Sequence, residues 1–241
     1  MILKTQKSLT TKPLFNHFFP DGVFTFVSGK DVDFGLNTAD SPFTPAQMNY
    51  LELIPGIRTG DIANVKQVHG KEIIIVRGRG AGTVEADGLI TNLSGLPLVV
   101  RTADCLPVFL YDEKTPAVGL VHAGWRGTKE EITAQAVKSM ITEFKTRPEN
   151  MKAAFGPCIR APRYEVGPEF LQHFPREVTA DNHRYHFDLA LANQHQLIGQ
   201  GVRPENIYDC GICTFDDHNY HSYRRDGQGA GRILSMIMLK G

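Results

Sequence analysis

Net charge is the first thing this sequence lacks. Its 26 lysines and arginines are matched by 26 aspartates and glutamates over 241 residues, mixed along the chain. That balance leaves no electrostatic footprint for bulk nucleic acid or an anionic membrane surface. Cysteine is scarce too. Cys105, Cys158, Cys210 and Cys213 are too few for a disulfide scaffold in a chain this long, so reduced thiols in a cytoplasm are expected. Long apolar runs are missing as well: residues 1–21 hold no signal-peptide core. The run at 233–239 falls far short of the ~20 residues that span a bilayer, and reads as a closing strand.

What is present is an ordinary globular composition, 41% hydrophobic and 22% charged, with apolar residues enough for a sizeable core. No linker-like stretch divides the chain, so residues 1–241 read as one domain. Apolar segments bounded by Gly, Pro, Asn or Asp predict strands at 23–27, 62–68, 72–76, 88–91, 98–102, 108–111, 117–122, 152–155, 207–213 and 233–239. Several are continuously apolar and should be buried on both faces.

Two helical patterns stand among them. Thr128 with Glu131 three residues on reads as a capping box, and Ile132, Val137, Met140, Ile141 and Phe144 continue the pattern to about Lys145. A second helix starts after Asp188 and runs through Leu189, Ala192, Leu197 and Ile198 to Gly199 or Gly201. Pro168 opens a shorter one reaching Phe174. The expected fold is α+β, a single domain of mixed β-sheet flanked by helices in a layered sandwich. Both main helices are followed by Arg-Pro-Glu-Asn, at 147–150 and 203–206. This is an internal echo of a helix–loop–strand unit or two turns that independently favour Pro and Asn.

Reactive side chains cluster at strand ends in three segments, 66–70, 101–107 and 121–127. His69 and His122 each close a strand pattern before a glycine, and Cys105 lies beside Asp104 and ahead of Pro107. Two histidines and a cysteine suit zinc, and three protein ligands leave a fourth position open. By spacing alone they fit equally a buried thiol and two turn histidines.

The segments QVHG (67–70), ADGLIT (86–91), TADCLPV (102–108), HAGWRG (122–127), GPCI (156–159), YEVG (164–167) and SYRRDG (222–227) resemble the laccase-domain family of bacterial proteins. Members of that family are described both as multicopper-type polyphenol oxidases and as purine nucleoside phosphorylases. The resemblance runs from about Asn16 to the C-terminus. It implies a zinc site of His69, Cys105 and His122 on a helix-flanked mixed-sheet fold. It also implies phosphorolysis of adenosine, inosine and methylthioadenosine to free base and sugar 1-phosphate, with adenosine deamination as a side activity.

Each reaction then needs particular groups. Deamination needs a water made nucleophilic near neutral pH, which an open zinc site supplies, and a carboxylate to move its proton, for which Asp104 or Asp87 is nearest in the motifs. Phosphorolysis needs a cationic clamp, with Arg126 at a helix start first and Arg224 or Arg225 second. The expected partners are therefore purine nucleosides and phosphate, with no nucleic acid and no membrane; oligomeric state is left open.

A multicopper cluster would need many paired histidine ligands, and the nine histidines hold no His-x-His pair, so zinc is expected with copper chemically possible in the same His2Cys set. Cys210, Cys213, His218 and His221 superficially resemble a compact zinc knuckle. The Cys213–His218 spacing is tighter than a finger loop, so core packing is the expectation. The chain also departs from its family: an Arg and Gly-Gly pair usual after the first strand is replaced by Phe24 to Lys30, and Arg160-Ala-Pro-Arg163 follows GPCI. One alternative is a cysteine hydrolase or amidase with Cys105 as nucleophile and His122 or His69 as base, in the setting of cell-wall precursor editing. Others are a copper-dependent polyphenol oxidase and a non-enzymatic accessory protein.

Overall fold

The structure, a computed structural model, describes residues 14–35, 42–79 and 84–241. Its elements run β1 (Val23–Val27), α1 (Pro45–Leu51), β2 (Ile73–Ile75), β3 (Gly88–Thr91), β4 (Leu98–Thr102), β5 (Leu106–Asp112), β6 (Ala117–Ala123), α2 (Trp125–Lys129) and α3 (Ile132–Phe144). They continue with β7 (Met151–Phe155), β8 (Glu165–Val166), α4 (Phe170–His173), β9 (Val178–Asp181), β10 (Arg184–Phe187), α5 (Leu189–Gly199), β11 (Ile207–Asp209), α6 (Tyr223–Asp226) and β12 (Ile233–Leu239).

A six-stranded mixed sheet, ordered β11-β7-β5-β6-β3-β2, forms the middle layer, and β1-β12-β4 packs on one face of it. The two-residue period of a strand sorts the side chains between layers. On β5, Leu106, Val108 and Leu110 join α3 and α5 in one core, while Phe109 and Tyr111 face the smaller sheet. On β12, Ile233 and Ile237 face the middle layer, and Leu234 and Met236 turn outward to a third core closed by Leu51 of α1 with Phe34 and Phe43. Both faces of these strands are therefore buried, which is why their sequences read as unbroken apolar runs. Each such side chain contributes about 1.5–3 kcal/mol by leaving water. The expected layered α+β architecture holds.

Three local expectations change. Thr128 does not cap a helix: it lies inside α2, whose N-cap is Gly124, and its hydroxyl accepts from Asn193 Nδ2 at 3.0 Å. Glu131 instead turns the chain into α3 with a left-handed φ of 61°. The capping box belongs to α1, where Thr44 and Gln47 bond reciprocally ahead of Pro45. The segment 62–68 is no regular strand; it bridges to β4 at Ala63 and to Glu85 at Lys66, exchanging partners midway. The β8-β10-β9 sheet, most of whose residues are exposed or half-buried, carries no apolar alternation to reveal it. The predicted Asp188 cap is present, its carboxylate accepting from Leu191 N.

The repeated phrase has the same structure twice. Pro148–Asn150 and Pro204–Asn206 are each one 3-10 turn, one following α3 and leading into β7, the other following α5 and leading into β11. Those strands pair in parallel.

Candidate functional site

Asp87, at the mouth of β3, organises the first ligand segment. Its carboxylate is fully buried and accepts the backbone N–H groups of Val68 (3.1 Å), His69 (3.0 Å) and Gly70 (2.7 Å). Three converging amides hold His69 at a φ of 61°, a left-handed conformation a histidine rarely adopts unaided. Gln67 fixes the same segment to β4, donating to the Arg101 carbonyl and accepting from the Arg101 N–H, both at 2.7 Å.

The same carboxylate reaches His122 Nδ1 at 2.7 Å, near the end of β6. Burial raises the Asp87 pKa, but the hydrogen bond and charge of His122 and the amides of Gly70 and Val68 lower it overall. Asp87 is thus ionised and accepts, so His122 donates from Nδ1, which leaves Nε2 for the hydrogen bond that His122 shares with Cys105. Asp87 has no oxygen to spare for a substrate and does not line the cavity. The structure places it not against the cavity but where it orients His69 and His122, two candidate ligands.

Cys105 is presented by the turn between β4 and β5. Asp104 shapes that turn at a φ of 84°. Its Oδ1 accepts from the Thr214 hydroxyl and its Oδ2 from the Arg224 N–H, each at 2.6 Å, while its carbonyl accepts from Ile159 N at 3.0 Å. The donor atoms of His69, Cys105 and His122 then lie within 4.8 Å of one another, with the two imidazoles edge to face at 79°. Gly124 leaves the space beside them open, since a Cβ there would stand 3.1 Å from both Cys105 Sγ and His69 Cδ2.

Burial pushes the Cys105 thiol up, but His122 and His69 more than reverse it, so its pKa is lowered. Burial pushes His122 down, and Cys105 and Asp87 raise it overall. A thiolate is the ligating form of cysteine. With Nε2 of His122 turned toward Cys105, a second imidazole alongside and a glycine-made gap, the donor set fits a metal that takes two nitrogens and a sulfur and keeps an open position. Among the described residues no second group of three or more such donors converges. Cys210, Cys213, His218 and His221 form no such group; the backbone of Cys213 pairs with that of Cys158, and both thiols are free.

The triad borders a cavity of about 490 Å³ lined by Trp125, Tyr164, Ile159, Leu189 and Tyr223 among its apolar groups. Asp104, Arg126 and Arg224 line it as well. Arg126 stacks over the Trp125 ring at 4.8 Å, and Arg224 lies 5.4 Å over Tyr164 while donating to the Glu165 carbonyl. Arg225 is absent from the lining. Its Nη1 is bound to the carbonyls of Thr214 and Phe215, its Nη2 to that of Tyr220 and to Asp226, and its Nε to Asp226. Pinning this loop occupies its donors, so the expected phosphate role is withdrawn. Arg101 and Arg232 also line the cavity and escaped the sequence reading; the signal was a charged residue inside the apolar run 98–102, just ahead of the TADC turn.

Residues 26–240 match the family described as multi-copper polyphenol oxidoreductase laccase. The chain belongs to that family. Among other laccase-domain proteins, it is 36% identical over 76% of its length to a purine nucleoside phosphorylase of Deinococcus radiodurans, covering 72% of that protein. It is 30% identical over 77% of its length to adenosine deaminase RL5 from an unknown prokaryotic organism, covering 78% of that one. The crystal structure of YlmD from Geobacillus stearothermophilus superposes with a TM-score of 0.83 at 25% identity, over 95% of this chain and 94% of that one.

Departures from the laccase-domain pattern have structural uses here. Arg160 makes paired 2.6 Å bonds to Asp209 and a third to the Ile212 carbonyl, tying the chain after β7 to the end of β11. Lys30, in the loop after β1, is paired with Asp226 at 3.1 Å.

Proposed function

We propose that this chain is a zinc-dependent purine nucleoside phosphorylase that also deaminates adenosine. The observation that carries it is the convergence of three metal-ligand atoms at the wall of a cavity that also presents aromatic rings and unpaired arginines. Relatives named for each activity support the same reading. His69, Cys105 and His122 hold the metal, which when bound supplies a Lewis acid able to bring the pKa of a water to about 7.

The chain's own groups do the rest. Trp125 and Tyr164 offer flat apolar faces to a purine, and Leu189 and Ile159 exclude water around it. In phosphorolysis a phosphate oxygen bonds to the sugar C1′ as the C1′–N9 bond breaks, and the electron pair leaves with the base, which takes up a proton. Arg126 and Arg224 bind and orient the anion in this reading. Asp104 carries the proton, since each of its oxygens keeps a lone pair beyond the bond it already accepts. For deamination Asp104 moves a proton from the attacking water to the departing amine, releasing ammonia and inosine. Four free cysteines agree with a cytoplasmic setting. Among the described residues no helix is long and apolar enough to cross a membrane.

Copper could occupy the same His2Cys set, but one group of three donors is not a multicopper centre. A second reading has a specific observation in its favour. Asp87, His122 and Cys105 form a carboxylate–imidazole–thiolate line, the arrangement that activates a nucleophilic cysteine. In that reading the protein is a cysteine hydrolase or amidase acting on a cell-wall precursor.

Elemental analysis together with adenosine turnover, followed by chromatography with and without phosphate, separates these readings. Stoichiometric zinc and phosphate-dependent adenine release, both lost in Cys105→Ala, are the expected result. A metal-free protein that leaves nucleosides untouched, with Cys105 reactive toward electrophiles, would overturn it in favour of the hydrolase.

A further inference from the structure

Arg101 stands out among the cations of the cavity because it is buried, with 5% of its surface exposed, yet no carboxylate pairs with it among the described residues. Its Nη2 donates to the Pro42 carbonyl at 2.5 Å, its Nε has no acceptor among the described residues, and its guanidinium lies 4.9 Å over the Phe43 ring. Arginine stays charged in proteins, so a desolvated guanidinium without a counter-charge is an electrostatic deficit. The burial lowers its pKa to about 10, with no acid among the described residues to offset it.

A second cation shares the wall. Arg232 immediately precedes β12, and Leu234, two residues on, pairs with Arg101 of β4. By the two-residue period Arg232 and Leu234 share a face, so both arginines project from the same side of the β12–β4 pair. The Arg232 guanidinium donates to the carbonyls of Ala230 and Gly231 and makes no ion pair among the described residues, while its backbone N–H is held by the Asp33 carboxylate at 2.7 Å. Both side chains line the cavity that the metal triad borders. Gln67 links the two features directly: it grips the Arg101 backbone through both of its amide atoms and lies two residues before His69.

We infer that Arg101, with Arg232, forms the phosphate-binding subsite of this cavity. The inference rests on the proposed phosphorylase reading and names residues for its second substrate. A tetrahedral dianion between the two guanidiniums supplies the counter-charge that Arg101 lacks, and a guanidinium offers paired N–H donors in the geometry a phosphate accepts. The exposed Arg126 and Arg224 then bind and orient the anion at the cavity mouth as it passes to this deeper pair.

The test uses the zinc-loaded protein, its Arg101→Met and Arg101→Lys variants, and inorganic phosphate as probe. Calorimetric titration and phosphate-dependent thermal shift measure binding without requiring turnover, and phosphorolysis gives the KM for phosphate. Loss of one charge-assisted contact is expected to weaken phosphate binding and raise that KM about 10- to 100-fold in Arg101→Met. Arg101→Lys should recover part of it. In phosphate-free buffer Arg101→Met should melt at or above the wild-type temperature, because an unpaired buried charge has been removed. A purely structural role predicts the reverse, a lower melting temperature with phosphate binding intact, and that result overturns the inference. Wild-type protein that fails to bind phosphate overturns it too, whatever it does to nucleosides. If phosphate binds through Arg101 but no base is released, the subsite stands and the phosphorylase reading falls.

Discussion

Asp87 Oδ1 and His122 Nδ1 are 2.7 Å apart, with the carboxylate fully buried and the imidazole almost so. The same carboxylate gathers three amides of the His69 segment, so one aspartate sets the orientation of two candidate ligands, one in an irregular segment and one on β6. Asp87→Asn keeps the shape and removes the charge. Zinc affinity should fall about 10- to 100-fold, as for other groups that orient a ligating histidine, measured by competition with a chromophoric chelator. Asp87→Ala goes further, leaving a buried imidazole and three amides without an acceptor. It should lower stability by about 3–5 kcal/mol in urea titrations.

Gly124 tests whether the space among the three donors is used. Its φ of −81° is open to any residue, so Gly124→Ala leaves the backbone relaxed and only fills the gap. Overpacking of this kind costs about 1–3 kcal/mol, here falling on the metal-loaded state. The variant should fold normally yet bind zinc about 5- to 150-fold more weakly. Gly127→Ala is the contrast, because a Cβ there would meet the Gly70 carbonyl oxygen at 2.6 Å and should lower the melting temperature itself.

Metal removal exposes the charge state of Cys105. In chelator-stripped protein burial opposes the thiolate, and His122 and His69 stabilise it, so alkylation should remain fast well below the usual thiol midpoint of about 8.5. Cys158, fully buried and pushed upward by that burial, should react far more slowly. Mass spectrometry of time courses between pH 6 and 9 reads both. In His122→Asn the Cys105 midpoint should rise; an unchanged profile would mean that the imidazole does not hold the thiolate.

Acid stability has a separate origin in the 222–227 loop. Hydrogen bonds from Arg225, and then Lys30, hold Asp226 well below the usual carboxylate range. A depressed folded pKa contributes stability that is complete above the unfolded value of about 3.9 and is lost as pH falls through the folded one. Asp226→Asn should therefore be less stable than wild type at pH 7, with the gap closing below about pH 4. Urea midpoints at pH 7 and pH 3 check the sign.

Strands with both faces buried were legible because the demand for apolar side chains is continuous along them; β1, β3, β4 and β12 have the expected bounds. The cap at Asp188 was legible because it is a local hydrogen bond. Thr128 and Glu131 have the same local pattern as Thr44 and Gln47, yet only the latter pair forms a capping box. The difference is tertiary: Asn193 on α5 takes the Thr128 hydroxyl, and the chain turns at Glu131 instead.

Hydrophobic periodicity written along the chain determined the layered fold, and the motif resemblance singled out His69, Cys105 and His122 as candidate ligands, which their spacing alone did not. Tertiary structure decided which charges serve which purpose. Asp87 became an orienting group because its four hydrogen-bond donors come from segments 17 to 35 residues away, and Arg225 a loop anchor because the folded loop turns Asp226 and three nearby carbonyls onto its guanidinium. Arg101 became a cavity cation for the opposite reason: folding desolvates it and brings no acid among the described residues to meet it. Coulomb energy depends on distance and on exclusion of water, and neither exists until the sheets have packed.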